Sequence, residues 1–243
     1  MCGIIGVVST ENKIARGAAE ALLHQSEVRG RHATGISYYD AAGQLTTFKQ
    51  PVPANEFEMP DDVGNILIGH TRYSTSDIEY NQPLTEGDCS LVHNGVITQA
   101  PFTQWESLYG FTDFKTRNDS EILLKAWQQD MFYQFENASI AAGFLAGGEI
   151  FCYRNQQRPL YIFYNEYLQG FASTYNIIQR TFGDGVTIVK AEPNVIYNLR
   201  IKTGKLHSCS IDQYEAEKKP DLQFDTVRGD RYLYRGSVST HGC

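Results

Sequence analysis

The sequence has no apolar run long enough to cross a bilayer. Segments 91–97 and 159–164 are apolar but fall well short of the roughly 20 residues that a membrane helix needs, so no membrane span is expected. Nothing at the N-terminus pairs a basic stretch with a long apolar run, as a secretory signal does, and a cytoplasmic location is the expectation. Basic residues are in deficit. Lys and Arg number 21 against 28 Asp and Glu, a formal net charge of −7, which argues against nucleic acid as the main partner. The five cysteines, Cys2, Cys89, Cys152, Cys209 and Cys243, are odd in number and widely spaced. No CxxC pair or Cys/His cluster at metal-ligand spacing occurs, so neither a disulfide scaffold nor a zinc site is expected, and no cofactor is implied. Long linkers, repeats and low-complexity runs are also missing. The remaining composition is that of an ordinary globular protein, with room in 243 residues for one large domain or two small ones.

Apolar periodicity places the elements. Residues 3–8 read as a short, β-branched, buried strand. Ser9 and Thr10 are the expected cap of a following helix, on which Ile14, Ala18, Ala21, Leu22 and Val28 recur near a helical period. Arg29-Gly30-Arg31-His32 ends it. Strands follow at 34–40 and 44–50, with a turn between them, and a proline-containing loop occupies 51–64. Residues 66–70 and 90–93 are two further buried strands, each running directly into a polar motif. Asn118-Asp119-Ser120-Glu121 has the spacing of a capping box, with Asn118 as cap and Glu121 reaching back, and predicts a helix over about 119–133. The second half is strand-rich, at 141–146, 149–153, 159–164, 168–172, 186–190, 195–201 and 205–210, with a helix at 173–182. Many short strands with few helices predict one α+β domain of two stacked sheets over residues 2–211, followed by a tail over 212–243.

The chemistry concentrates at strand ends and helix starts. Removal of Met1 would leave Cys2 with a thiol and a free α-amine on one residue. An ordinary thiol and an ordinary α-amine both titrate near physiological pH, so the amine can take the thiol proton and activate a nucleophile. The bland alternative is a cysteine that merely heads a buried strand. Taken singly, the other motifs are equally open: Arg72 as a surface charge, Asn94-Gly95 as a hairpin turn, Asp119 as one more acid at a helix start. Together they supply what a thiolate needs to cleave the amide of an amino acid. The Asn94 side chain and the Gly95 backbone N–H are two candidate oxyanion donors. Arg72 can grip a carboxylate bidentately and Asp119 can pair with an ammonium. His70 and His93 follow apolar strands and read as packed, hydrogen-bonded histidines rather than bases. Cys89 and Cys152 read as buried thiols.

With these motifs in order, the sequence resembles the class II glutamine amidotransferases over residues 2–211. Cys2-Gly3-Ile4-Ile5-Gly6 resembles the family's opening after methionine loss, and Arg29-Gly30-Arg31-His32-Ala33-Thr34-Gly35 its RG-x-D-x-x-G element. The segment 70–75 (His-Thr-Arg-Tyr-Ser-Thr) looks like the glutamine-binding segment, and Leu91-Val92-His93-Asn94-Gly95 like the oxyanion segment. The 118–121 motif looks like the helix start that holds the glutamine amino group. Arg158-Pro159-Leu160 and Glu192-Pro193-Asn194 resemble further family elements. The HTR and HNG forms are nearer to the phosphoribosyl-diphosphate and fructose-6-phosphate amidotransferases than to asparagine synthetase.

The resemblance implies an N-terminal-nucleophile hydrolase fold, a four-layer αββα sandwich of two stacked antiparallel sheets. It implies Cys2 as nucleophile, its amine as general base, and Asn94 and Gly95 as oxyanion hole. Arg72 and Asp119 would bind L-glutamine, Tyr73 and Thr75 would belong to a loop closing over it, and Arg29 would support the nucleophile. Two departures stand out. His32 occupies the place of an acid, and no synthase domain follows residue 211, so ammonia is expected to pass to a separate synthase or transferase partner. The tail 212–243, which interleaves basic and aromatic residues, is either its docking segment or a flexible terminus. Two other functions stay open at this stage: an amidase acting on a γ-glutamyl compound, and a silent amino-acid-binding module should Met1 be retained.

Overall fold

In the computed structural model of the protein, which describes residues 2–73, 81–135, 137–200 and 207–211, the stretch after Cys2 forms strand β1 (Gly3–Ser9), every residue of it buried. Burial on both faces and both edges needs neighbours on all sides, and β1 has them. Strand β4 (Ile66–Arg72) pairs along one edge and β10 (Leu168–Ala172) along the other, both antiparallel. The sheet extends through β2 (Ala33–Tyr39) and β3 (Leu45–Gln50) beyond β4, and through β9 (Tyr161–Tyr164) and β11 (Thr187–Lys190) beyond β10, in the order β11-β9-β10-β1-β4-β2-β3. A second antiparallel sheet holds β5 (Leu84–Glu86), β6 (Cys89–His93), β7 (Ala141–Ala146), β8 (Glu149–Arg154), β12 (Val195–Leu199) and β13 (His207–Ser210), in the order β13-β12-β8-β7-β6-β5.

The period-2 alternation of each strand sorts side chains into three cores. In β1, Ile5 and Val7 point outward and pack with Leu22, Leu23, Ile177 and Ile178, carried by helices α1 (Asn12–Ser26) and α4 (Tyr175–Phe182). Ile4 and Val8 point the other way, into the gap between the sheets, where they meet Ile68, Val92, Leu145 and Phe171. The outer face of the second sheet is covered by α2 (Trp105–Tyr109) and α3 (Ser120–Gln128), with Ile122, Leu123 and Trp105 packed alongside Leu91, Phe144 and Tyr153. Helix, sheet, sheet, helix is the four-layer αββα sandwich, and it is α+β and antiparallel throughout. Among the described residues no helix is long and apolar enough to cross a membrane.

Several local expectations change. Helix α1 begins at Asn12 with Glu11 as N-cap and no side-chain cap bond; Ser9 Oγ accepts from the Glu11 N–H at 3.4 Å, one residue short of the helix, and donates to the Tyr167 carbonyl. Val28 is not on its buried face: the helix ends at Ser26, a 3-10 turn takes over, and Val28 is 74% exposed. Helix α3 stops at Gln128, five residues short of the predicted end. Asp130 takes a left-handed backbone (φ 58°) that lets the chain turn back, and Phe132 is fully buried against Trp127, Phe144 and Tyr153. The capping box is rewired as well. Glu121 does reach back, but its carboxylate accepts from the Lys115 and Thr116 N–H groups at 2.7 Å each, while Asn118 Oδ1 accepts from Ser120 N–H at 3.1 Å. Strand β5 and helix α2 are additional elements. Thr75 and the tail 212–243 lie outside the described residues.

Phe171 fills the inter-sheet gap where both sheets carry glycine. A Cβ on either Gly6 or Gly143 would collide with its ring. Phe171→Ala removes this fully buried contact from both sheets at once, and we expect it to lower unfolding free energy by about 3–5 kcal/mol in a denaturant titration. A loss under about 1 kcal/mol would mean that the sheets close over the gap.

Candidate active site

The site is assembled from strand ends. Because β1, β4 and β2 run antiparallel to their neighbours, the start of β1, the end of β4 and the start of β2 lie at one end of the first sheet, bringing Cys2, Arg72 and Ala33 together. At the other end, the β7–β8 turn packs on β2, with Gly148 N–H donating to the Tyr39 hydroxyl at 3.1 Å. The opposite ends of β6 and β7, which carry His93, Asn94 and Ala141, therefore lie at the Cys2 end of the sandwich. Each sheet contributes one half of the site.

In the first half, Cys2 is partly exposed and its thiol is free. Its carbonyl accepts a 2.7 Å hydrogen bond from Arg29 Nε, tying Cys2 to the turn that ends α1. Burial lowers the Arg29 pKa from its ordinary value, while Cys2 acts in the opposite direction and Arg158 adds to the lowering. Gly30 lies so near β4 that a Cβ there would collide with the Arg72–Tyr73 peptide. His32 N–H donates to the Arg72 carbonyl at 3.0 Å, and its ring lies against Tyr73, tilted by 31° with centroids 5.2 Å apart. Where the family pattern has an acid, this chain places an aromatic neighbour for Tyr73, which is otherwise 56% exposed.

In the second half, Asn94 is held by a pair of backbone bonds with Ala141, at 2.8 and 3.2 Å. Its side chain is buried, and among the described residues Asn94 Nδ2 has no hydrogen-bond partner. Gly95 follows where only glycine fits, because a Cβ would collide with the Ser139 carbonyl oxygen and come within 2.5 Å of His93 Nε2. Val96 and Ser139 form a bridge that fixes the turn. Asp119, immediately before α3, accepts from Ile97 N–H at 2.6 Å and Thr98 N–H at 3.2 Å through Oδ2. The carboxylate and the Asn94-Gly95 turn are thereby joined through three residues of backbone.

Electrostatics link the two halves. Arg158, which heads the segment entering β9, lowers the pKa of Arg29 on the Cys2 side and of His93 on the other. Sequence patterning singled out Arg158 as a motif but gave it no role. Burial is the main cause of the lowered His93 pKa, with Asp119 opposing it. Burial, reinforced by Arg72, pushes His70 down to about 3, so this imidazole is neutral and not a base near pH 7. Cys89 and Cys152 are buried, the first with its pKa pushed up to about 12 and the second also raised. Neither has the exposed, readily ionised thiol of a reactive cysteine. Among the described residues, no group of three or more His, Cys, Asp or Glu is placed to hold a metal ion.

No protein-family model matches the chain. It is 30% identical over 194 residues to a glutamine–fructose-6-phosphate aminotransferase (isomerizing) of Streptococcus pyogenes, a match covering 73% of this chain and 32% of that protein. It is also 30% identical over 135 residues to an amidophosphoribosyltransferase of Methanothermobacter thermautotrophicus, covering 50% of this chain and 28% of that one. The match thus takes in less than a third of the length of either relative. Among solved structures, a glutamine phosphoribosylpyrophosphate amidotransferase from B. subtilis superimposes with a TM-score of 0.67 at 22% identity, over 86% of this chain and 49% of that chain. At that identity the superposition speaks for the fold, and the sequence matches speak for descent. The chain belongs to the class II glutamine amidotransferases and carries their N-terminal-nucleophile hydrolase fold.

Proposed function

We propose that this chain hydrolyses L-glutamine to L-glutamate and ammonia through a thioester on Cys2, with the ammonia passing to a separate synthase or transferase subunit. The observation that carries this is the Asn94 side chain, 3% exposed with Nδ2 lacking a partner among the described residues, next to a glycine that admits no side chain. A buried donor left unsatisfied costs roughly 1–3 kcal/mol. Such a cost is tolerated where a ligand completes the bond, and a preorganised donor pair is what a tetrahedral oxyanion requires.

In this reading Met1 is removed and the Cys2 α-amine accepts the thiol proton. The sulfur attacks the side-chain carboxamide carbon of glutamine, and the charge that develops on oxygen is met by Asn94 Nδ2 and Gly95 N–H. When the C–N bond breaks, the ammonium formed on the α-amine returns its proton to the leaving nitrogen, and ammonia departs. Water, deprotonated by the same amine, attacks the thioester and frees glutamate with the thiol restored. Arg72 holds the substrate carboxylate and Asp119 its ammonium. Tyr73 and Thr75 close over the bound amino acid and keep water from the thioester until ammonia has left. Arg29 keeps the Cys2 backbone still through its bond to the carbonyl. Free ammonia is mostly protonated at neutral pH and then no nucleophile, which favours direct transfer to an acceptor subunit.

Four measurements test this. Intact mass of the native protein should lack one methionine, and Cys2→Ala should abolish glutaminase turnover; Cys2→Ala that hydrolyses glutamine at the wild-type rate sinks the proposal. Asn94→Ala should lower kcat about 10²–10³-fold with little change in KM, because its bond forms in the transition state. Asp119→Asn keeps an oxygen for the Ile97 and Thr98 N–H groups but loses the charge, and should raise KM for glutamine by about tenfold or more. An unchanged KM would remove Asp119 from the binding role.

A further inference from the structure

His93 does not belong to the reacting groups, yet it is buried at the junction of the two arms of the site. Its Nε2 lies 3.2 Å from the Ser139 carbonyl oxygen. A carbonyl only accepts, so Nε2 carries the hydrogen and Nδ1 the lone pair. Nδ1 lies 2.8 Å from Ser120 Oγ, so the Ser120 hydroxyl donates to it. Ser120 Oγ in turn accepts from Gln82 Nε2 at 3.1 Å, and Gln82 Oε1 accepts from the His93 backbone N–H at 2.5 Å. The circuit closes on the residue where it began. Each of its bonds has a single permitted direction once the imidazole is neutral, the state that burial favours.

Its position gives the circuit a task. The imidazole is the wall behind Gly95, with Nε2 2.5 Å from where a Cβ of residue 95 would sit, and the carbonyl it grips is the one that a Gly95 side chain would strike. At its other end Ser120 is the first residue of α3, adjacent in sequence to Asp119. We propose that His93, Ser120 and Gln82 form a positioning unit that sets the Gly95 N–H relative to Asp119, and so matches the spacing of the oxyanion hole and the ammonium clamp to one length of amino-acid side chain. This rests on the glutaminase reading for its chemistry but not for its geometry. Supporting hydrogen bonds of this kind typically change function ten- to a hundredfold when lost, without touching the substrate.

The test compares Ser120→Ala with Ser120→Thr in the full chain. The alanine removes both the donor to Nδ1 and the acceptor for Gln82; the threonine retains a hydroxyl. Ser120→Ala should shift the Gly95 backbone amide resonance and lower kcat for glutamine about ten- to a hundredfold, and Ser120→Thr should restore both at least in part. A combined Ser120→Ala/Asn94→Ala protein should lose less than the product of the two single losses, since both act on one oxyanion hole. Multiplicative losses, or a kcat unchanged in Ser120→Ala, overturn the proposal. Should the wild-type protein turn over no glutamine, the functional reading fails, and the resonance decides the positioning unit alone: an unmoved Gly95 amide in folded Ser120→Ala overturns it.

Discussion

Cys2, the nucleophile we propose, is only as fixed as the strand that follows it. Chain termini ordinarily fray, and a thiol on a fraying end would have no defined angle of attack. Here the strand after Cys2 is the centre of a seven-stranded sheet, buried on both faces, paired with β4 from Gly3 onward and with β10 from Ile5 onward. Arg29 adds a bond to the Cys2 carbonyl itself. The remaining site residues depend on that placement, because the end of β4 that carries Arg72 is positioned by its register with β1.

The site straddles two sheets that, among the described residues, share no backbone–backbone hydrogen bonds, so their relative placement rests on side-chain contacts. Phe171 between Gly6 and Gly143, and the aliphatic layer around Ile4, Ile68 and Val92, do that work. Polar groups supply what packing does not, since apolar contacts specify distance far better than angle. On the outer side of β6, the bonds from Asp119 to the 97–98 backbone and the ring of bonds through His93 orient the turn that follows the strand.

Much of this was legible in the sequence, for physical reasons that also explain the misses. Strands β1, β4 and β6 are short β-branched or apolar stretches ending in a polar motif, a pattern that a buried strand running into a functional loop produces almost inevitably. The helix over 119–133 was overestimated because periodicity sees Met131 and Phe132 as a continuing apolar face. In the fold Phe132 is more valuable inserted beside Trp127 and Phe144 than carried on another helical turn. Helix α2 has only five residues and no period to detect; it is held by burial of Trp105 against Phe102 and Phe114. Ser9 looked like a cap, but its hydroxyl donates to the Tyr167 carbonyl, 158 positions away, which no local rule can anticipate. Gln82 belongs to the same class: nothing around it in the sequence signals a bond to the end of β6.

The division of the site between the sheets makes catalytic competence more fragile than foldedness. A small relative slide of the two layers leaves every ladder hydrogen bond and both helix-covered cores intact, so spectroscopic secondary structure would be unaltered. In the proposed mechanism the same slide changes the gap between the Cys2 sulfur and the Asn94-Gly95 donors, where about 1 Å of misplacement costs orders of magnitude in rate. A protein built this way has a second, lower threshold beneath its unfolding transition: warmed or crowded by a bulky inter-sheet substitution, it would fall silent while still behaving, to every probe of backbone order, as a native molecule.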